Sequence, residues 1–229
     1  DIVAIQEITT SDRKMLRDLL QDDYPHQLWS ERYANYNGGA IFSKYPFVET
    51  QNIKIQPTES NQHTNLNHVV IDIAGKRVNL FNVHLHHGAA PFIQLVLGKK
   101  TLDDYLLETR KEFDYHKKEA RMVLNQVMQA TGPIILTGDF NNTPNSYVYW
   151  HYSRFLDNAF QKAGWGLGTT FGYATLENNI PKRLQRFLFD FIRIDHIFCS
   201  HDIRVVSADV KYVLHSDHRP VMARMLLRD

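Results

Sequence analysis

Short runs of apolar residues recur along the chain, separated by polar stretches that contain Gly or Pro. Val, Ile and Phe dominate these runs, and several are apolar at every position, which is typical of strands buried on both faces. The pattern predicts strands over residues 3–7, 40–43, 69–73, 78–83, 134–139, 194–200, 203–210 and 220–227.

Helical spacing of apolar residues marks three longer segments, residues 11–22, 103–130 and 146–163. Ser11 is a suitable N-cap for the first, and Gly132-Pro133 is a common stop after the second. Helices and strands mix without strict alternation, which predicts an α+β fold with packed sheets and outer helices rather than a doubly wound parallel sheet. Loops are predicted at 56–66, 86–101 and 164–190, and no repeat or linker divides the single domain expected over 1–229.

Composition narrows the function classes. The 229 residues are 43% hydrophobic, and 26 basic against 25 acidic residues give a formal charge of +1, so bulk charge does not favour a nucleic-acid partner. Cys199 is the only cysteine, which excludes an internal disulfide. No apolar run approaches the roughly 18 residues of a membrane helix. Because the sequence opens with Asp and directly in a predicted strand, we expect upstream sequence, with any targeting signal, to be missing.

Polar residues stand where predicted strands end. Glu7 closes the first strand, although an exposed Glu could also favour the dipole of the helix that follows. Asp139 and Asn141 are two apart, so in extended chain both point to the same side, where an acid and an amide could hold a phosphoryl oxygen and a water. Gly138 permits close approach of the backbone. The alternative is an Asx-rich turn that joins strand to helix.

The histidines at 84, 86 and 87 also follow a strand. Adjacent histidines on extended chain diverge, whereas a tetrahedral zinc site needs converging ligands, so zinc is not favoured. We expect the imidazole of His84 to face a phosphate, with His86 and His87 in a loop or at the substrate rim.

Asp195 lies among apolar neighbours, so it should point inward and need a partner, and His218 could be that partner. A buried carboxylate would hold the imidazole tautomer and favour its protonated form; a purely structural hydrogen bond is the alternative. Asp217 would point toward a metal, and His196 faces the other side of its strand and is left out. Hard carboxylate oxygens without thiolates favour Mg²⁺ or Mn²⁺.

In order, the segments DIVAIQEI, GGAIFSKYPF, NVHLHHG, TGDFNNTPNS, GTTF, RIDHIFCS and SDHRPV resemble the endonuclease/exonuclease/phosphatase family, relatives of DNase I. The stretch from GWGLGTTF to RIDHIF is also similar to bacterial members whose catalytic domain follows an N-terminal membrane-spanning segment. The resemblance implies a four-layer α/β/β/α sandwich of two mixed sheets. It also implies a preceding strand that carries a metal-site Asn, and this sequence begins after the place of that strand.

The resemblance implies a role for each matching residue. Glu7 would be the principal metal ligand, supported by Asp217, and His84 would contact a phosphate oxygen. Asp139 and Asn141 would hold the attacking water and the phosphate. Asp195 would orient His218, which would be a base or a phosphate clamp. Tyr33, Tyr36 and Asn37 are loop candidates for substrate contact.

These residues predict a Mg²⁺- or Mn²⁺-dependent phosphoesterase that cleaves a phosphodiester by in-line attack of water. A basic-aromatic stretch at 182–193 and an apolar loop at 86–101 favour a lipid or small-molecule diester over nucleic acid, although both segments could be ordinary rim and packing elements. A nuclease, a phosphomonoesterase and a non-catalytic binding module stay open. We expect a monomer, in an extracytoplasmic or membrane-anchored setting.

Overall fold

A computed structural model describes residues 1–30, 38–57, 64–86, 101–171, 192–213 and 216–228. Within these ranges the strands are β1 (Ile2–Ile8), β2 (His26–Trp29), β3 (Gly38–Ser43), β4 (Phe47–Ile55), β5 (Thr64–Ile73), β6 (Lys76–His84), β7 (Ile134–Asp139), β8 (Asp157–Asn158), β9 (Asp195–Cys199), β10 (Ile203–Val210) and β11 (Val221–Leu227). The helices are α1 (Thr10–Leu20), α2 (Leu102–Val127), α3 (Tyr147–Ser153) and α4 (Ala159–Ala163).

Three groups of strands form the centre of the molecule. One mixed sheet has the order β4-β5-β6-β7-β9-β8, in which β6 and β7 are parallel and the other pairs are antiparallel. A second sheet has the order β1-β3-β2, and β10 pairs with β11. The runs that read as apolar at every position lie here, because strands covered on both sides bury both faces.

Alternation of side chains along the central strands creates two apolar layers. On β6, Leu80 packs toward the β1-β3-β2 sheet with Ile41, while Phe81 packs toward α2 with Val123. Helix α1 covers the outer face of the smaller sheet through Leu16 and Leu20. Each fully buried side chain of this kind contributes about 1.5–3 kcal/mol. The predicted α+β sandwich, with helices outside two facing sheets, is confirmed.

The N-cap of the first helix lies two residues before the predicted one. Thr9, not Ser11, is the N-cap: its hydroxyl accepts from the Asp12 backbone N–H at 3.2 Å, and the Asp12 carboxylate accepts from the Thr9 N–H at 3.1 Å. This reciprocal pair is a capping box, which satisfies two backbone donors that Ser11 could not reach.

The prediction of a single helix over 146–163 is wrong. The chain forms α3, turns, adds the short strand β8 and continues as α4. Asn158 explains the break, because it pairs with Phe198 of β9 and its side chain also accepts from the Gln161 N–H at 3.1 Å to cap α4. Sheet pairing and capping therefore override a locally acceptable helical spacing.

Besides β8, two strands were missed, and one loop boundary was wrong. β4 is an edge strand whose residues are mostly exposed and polar, so no apolar run marks it. β2 is a four-residue strand that, among the residues described, pairs only with β3. β5 begins at Thr64, inside the predicted loop 56–66. No helix in the described part of the chain is long and apolar enough to cross a membrane.

Candidate active site

Three neighbouring strands bring three of the predicted residues into one row. The parallel register of β6 and β7 pairs His84 with Asp139, and the antiparallel register of β7 and β9 pairs Asp139 with Asp195. Paired positions on adjacent strands place side chains of the same face about 4.5–5.5 Å apart at Cβ. The strand ends therefore build one site from segments that are far apart in sequence.

Gly138 makes this arrangement sterically feasible. Its φ is +148°, and a Cβ built there would lie 1.8 Å from the carbonyl oxygen of Val83. Any side chain would force β6 and β7 apart at the point where His84 and Asp139 meet. The predicted close approach of the backbone at Gly138 is confirmed.

Glu7 reaches the site from the smaller sheet. The β1–β3 register shifts between Ile5 and Ile8, and Glu7 itself has a positive φ of 57°. Such a bulge redirects a side chain, and a positive φ at Glu costs free energy that surrounding structure must offset. The carboxylate Oε1 lies 3.8 Å from His84 Nε2, and the side chain is 64% exposed. Glu7 is thus aimed at the site while open to solvent.

Asp139 is the centre of the cluster. It is buried, and its Oδ2 lies 3.5 Å from His84 Nε2 and 4.0 Å from His218 Nε2. Its other oxygen, Oδ1, accepts from the Asn141 N–H at 2.8 Å. Burial raises the pKa of the Asp139 carboxyl, and the negative charges of Asp195 and Glu7 raise it further. One carboxylate oxygen is fixed by the backbone, and the other faces two imidazoles.

The structure brings Asp195 and His218 together as predicted. His218 Nδ1 lies 2.9 Å from Asp195 Oδ2 and 3.2 Å from Oδ1. Burial alone would lower the pKa of His218, but the hydrogen bond and charge of Asp195, with the charges of Asp139 and Asp217, raise it above the ordinary value. With Nδ1 engaged, Nε2 is the nitrogen that faces Asp139.

Sequence reasoning missed the support of this pair. The Thr170 hydroxyl accepts from the backbone N–H groups of Ile194 at 3.0 Å and Asp195 at 3.1 Å, and it is fully buried. The Phe171 ring contacts the His218 ring edge-on, with centroids 4.9 Å apart. GTTF was visible as a family segment, but its contacts with Asp195 and His218 depend on the fold.

The backbone conformation of Asn141 differs from the one expected from the sequence. Its φ is 49°, so the chain turns at this residue, and the extended conformation from which the same-side placement was inferred does not form. The turn instead directs its N–H to Asp139, and its Nδ2 donates to the Leu85 carbonyl at 2.8 Å. That bond uses one of two Nδ2 hydrogens, so the side chain is held while the second hydrogen can reach a ligand.

The donor set suits a hard divalent cation. The carboxylates of Glu7, Asp139 and Asp195 are close enough for two of them to raise the pKa of the third, and a cation would relieve this repulsion. Asp139, Asp195 and His218 each offer a ligand atom, all within 4.8 Å of one another. The Asp195–His218 bond already engages two of these residues, which leaves Asp139 and, beside it, the exposed carboxylate of Glu7 as candidates to hold a cation. Asp217 lies near enough to raise the pKa of His218; its role toward a metal stays a prediction.

Other histidines near the site point elsewhere. His86 Nε2 lies 3.5 Å from Glu112 Oε2 on α2, and its ring packs against Tyr115, so it diverges from His84 as expected. His196 is buried on the far face of β9, and burial lowers its pKa to about 4. His87, the tyrosines at 33 and 36, Asn37 and residues 182–191 lie outside the described residues.

A sequence model of the endonuclease/exonuclease/phosphatase family matches residues 1–218. A member from Beutenbergia cavernae is 21% identical, with a TM-score of 0.70 over 100% of this chain and 63% of its own. A mannosyl-6-phosphatase of Bacteroides thetaiotaomicron is 20% identical, with a TM-score of 0.69 over 99% of this chain and 85% of its own.

A third structure is TDP2 from D. rerio with a single-strand DNA product, 16% identical, with a TM-score of 0.70 over 99% of this chain and 86% of its own. No curated protein sequence matched significantly. At these identities the structural likeness shows the fold alone, and the family model carries the assignment. The chain therefore belongs to the endonuclease/exonuclease/phosphatase family.

Proposed function

We propose that this protein is a divalent-cation-dependent phosphoesterase that cleaves a phosphodiester by in-line attack of water. The observation that carries the proposal is the arrangement around one oxygen atom. Asp139 Oδ2 lies between the Nε2 atoms of His84 and His218, and His218 is itself held by Asp195. A carboxylate flanked by two imidazoles can hold a water and the oxygens of a phosphate at the same time.

The cation would be held by Glu7, with Asp217 on the same side. A Mg²⁺ or Mn²⁺ ion held there would supply positive charge against the charge that develops on the phosphoryl and leaving oxygens. The support for this assignment is the all-oxygen character of the ligands and the exposure of Glu7.

Asp139 is the proposed proton acceptor. The Asn141 N–H fixes Oδ1, so Oδ2 is the oxygen that receives a proton from the attacking water. General-base assistance of this kind contributes about 10²–10⁴-fold in rate.

His218 is the proposed phosphate clamp. Asp195 accepts from Nδ1 and favours the imidazolium, so Nε2 carries a proton that can be donated to a phosphoryl oxygen. His84 and the second Nδ2 hydrogen of Asn141 donate to phosphoryl oxygens from the side of the phosphate opposite His218. Loss of one such donor costs about 10²–10³-fold in turnover.

The proposed substrate is a lipid or small-molecule diester. The cleft beside Glu7 and His84 is lined by uncharged hydrogen-bonding side chains: Gln6, Ser30, Thr64, Asn65, Asn67 and Asn82. Among the described residues no Lys or Arg lines it, whereas a groove for a polynucleotide backbone is usually basic. Amides and hydroxyls suit a hydroxyl-rich group on the phosphate. Membrane proximity and the monomeric state stay predictions.

The first test compares bis-p-nitrophenyl phosphate with p-nitrophenyl phosphate, with Mg²⁺ or Mn²⁺ and then with EDTA. We expect cation-dependent hydrolysis of the diester that is lost in His218→Ala. His201→Ala is the matched control, because His201 is an exposed histidine bonded to Asp157. Hydrolysis of the monoester alone would favour a phosphomonoesterase, and no turnover from folded protein would favour a binding module. Cleavage of DNA or RNA that is faster than hydrolysis of either p-nitrophenyl ester would establish a nuclease.

A further inference from the structure

His196 and Asp195 are neighbours on β9 whose side chains serve opposite faces of the sheet. Asp195 faces His218, whereas His196 is 2% exposed beneath the turn that follows β7. The His196 Nε2 lies 2.9 Å from the backbone carbonyl of Asn142, the residue after Asn141. A histidine outside the site therefore contacts the backbone of the segment that carries Asp139 and Asn141.

The hydrogen-bond partners of His196 determine where its proton lies. The Asn142 carbonyl only accepts, so Nε2 must carry a hydrogen. On the opposite side, Asn158 Nδ2 lies 3.5 Å from His196 Nδ1. The Oδ1 of Asn158 is engaged by the Gln161 N–H, which leaves its amide nitrogen facing the ring as a donor. Both contacts favour one orientation and one tautomer of the imidazole.

The side chain of Asn142 holds the same turn from its other side. Its Nδ2 donates to the Phe140 carbonyl at 2.8 Å and lies 3.2 Å from His116 Nδ1 on α2. Asn141, between Phe140 and Asn142, has the left-handed φ of 49°. A non-glycine residue keeps that conformation only where its surroundings hold it. The backbone on both sides of Asn141 is held in this way.

We propose that His196 is a positioning residue of the active site. By holding the carbonyl of Asn142, it keeps Asn141 in the left-handed conformation that aims its N–H at Asp139 Oδ1. That hydrogen bond determines which oxygen of Asp139 faces His84 and His218. His196 thus acts through backbone geometry and touches no reacting atom. Its effect on turnover rests on the proposed function, but its effect on geometry does not.

Three substitutions separate the hydrogen bond from the packing. His196→Gln can place an amide donor near the position of Nε2, whereas the shorter side chain in His196→Asn can reach only the side of Asn158. His196→Phe fills the aromatic cluster formed with Phe140, Tyr149 and Phe198 but has no donor. The Gln and Asn variants are matched, because both put an uncharged amide into the same cavity.

The first readout needs no turnover. In metal-free, ¹⁵N-labelled protein, we expect the Asn141 amide to keep its chemical shift and slow exchange in His196→Gln. In His196→Asn and His196→Phe we expect it to move and to exchange at least tenfold faster, since its bond to Asp139 is loosened. An Asn141 amide that is unchanged in all three variants would overturn the proposal.

The second readout is steady-state kinetics with bis-p-nitrophenyl phosphate. We expect kcat within threefold of wild type for His196→Gln and at least tenfold lower for the other two, with KM changed less than kcat. If the Gln and Asn variants have equal melting temperatures and lose the same factor in kcat, the role of His196 is merely structural and the proposal is overturned. If the Phe variant does not fold, the Gln–Asn pair still decides. Failure of the proposed function would appear instead as absent turnover in the unmodified protein.

Discussion

Asp139 and Asp195 occupy directly paired positions on the antiparallel strands β7 and β9. One carboxylate faces the two imidazoles at the centre of the site, and the other holds His218 at 2.9 Å. Two acids on neighbouring strands thus have different environments and different tasks. Separation of tasks between closely spaced acids is a common way to run acid and base chemistry in one site.

Asp195→Asn should uncouple these tasks. Because Asn can donate as well as accept, it no longer specifies the Nδ1-protonated imidazole, and we expect kcat to fall on the order of 10²-fold with little change in KM. In metal-free protein, NMR titration should show a lower pKa for His218 than in wild type, since the largest raising interactions come from Asp195. Asp157→Asn, an acid paired with His201 and Lys162, is the control. An unchanged kcat would contradict the assigned role.

Gly138→Ala should destabilise the protein severely. The added Cβ meets the Val83 carbonyl at 1.8 Å, and the φ of +148° is unfavourable for Ala. We expect the free energy of unfolding, measured in urea, to fall by about 3 kcal/mol or more.

Gly75→Ala is the matched control for this clash. Gly75 also has a positive φ, +85°, but an added Cβ there meets nothing within 4 Å. We expect a cost of only about 1–2 kcal/mol, from backbone conformation alone. Equal costs at the two glycines would argue against close packing of β6 on β7.

Glu119 should make stability depend on pH. This side chain of α2 is fully buried, accepts from the Thr64 hydroxyl and from the His86 N–H, and burial raises its pKa to about 7. A folded-state pKa above the ordinary 4.5 means that the folded protein binds the proton more tightly. The free energy of unfolding should therefore fall as pH rises from about 4.5 to about 7, by up to about 3 kcal/mol.

Glu119→Gln should remove the part of this dependence that comes from Glu119, while the part that comes from the raised pKa of Asp139 remains. Urea unfolding at pH 5 and pH 8 measures it, and we expect the wild type to lose more stability between the two than the variant does. Asp18→Asn, a change at an exposed acid of α1, should leave the slope as in wild type. A slope as steep in Glu119→Gln as in wild type would contradict the assignment to Glu119.

Glu7→Gln should weaken cation binding. The exposed carboxylate is the proposed ligand, and an amide oxygen without charge binds a divalent cation less well. We expect Mn²⁺ affinity, measured by calorimetry, to drop by about 10–100-fold. Glu49→Gln removes an exposed carboxylate on β4 and should leave the affinity unchanged. Equal affinities in wild type and Glu7→Gln would remove Glu7 from the metal site.

The sequence by itself determined the fold class and most positions of the candidate site. Strands such as 134–139 and 203–210 were predicted with their observed bounds, because both are rich in the β-branched residues that strands favour. Glu7, His84 and Asp139 were identifiable because each ends such a run, and the pairing of Asp195 with His218 followed from the cost of burying a lone carboxylate.

Only the tertiary structure decided how these residues face one another. The register of three strands, the bulge at Glu7 and the left-handed turn at Asn141 arise from pairing between distant segments, which no local pattern encodes. The same holds for the helix predicted over 146–163, which breaks where Asn158 pairs with β9. His196 is the clearest case. Because side chains alternate between the two faces of a strand, the sequence pattern left His196 out of the site, and only the packed fold places it against the Asn142 carbonyl.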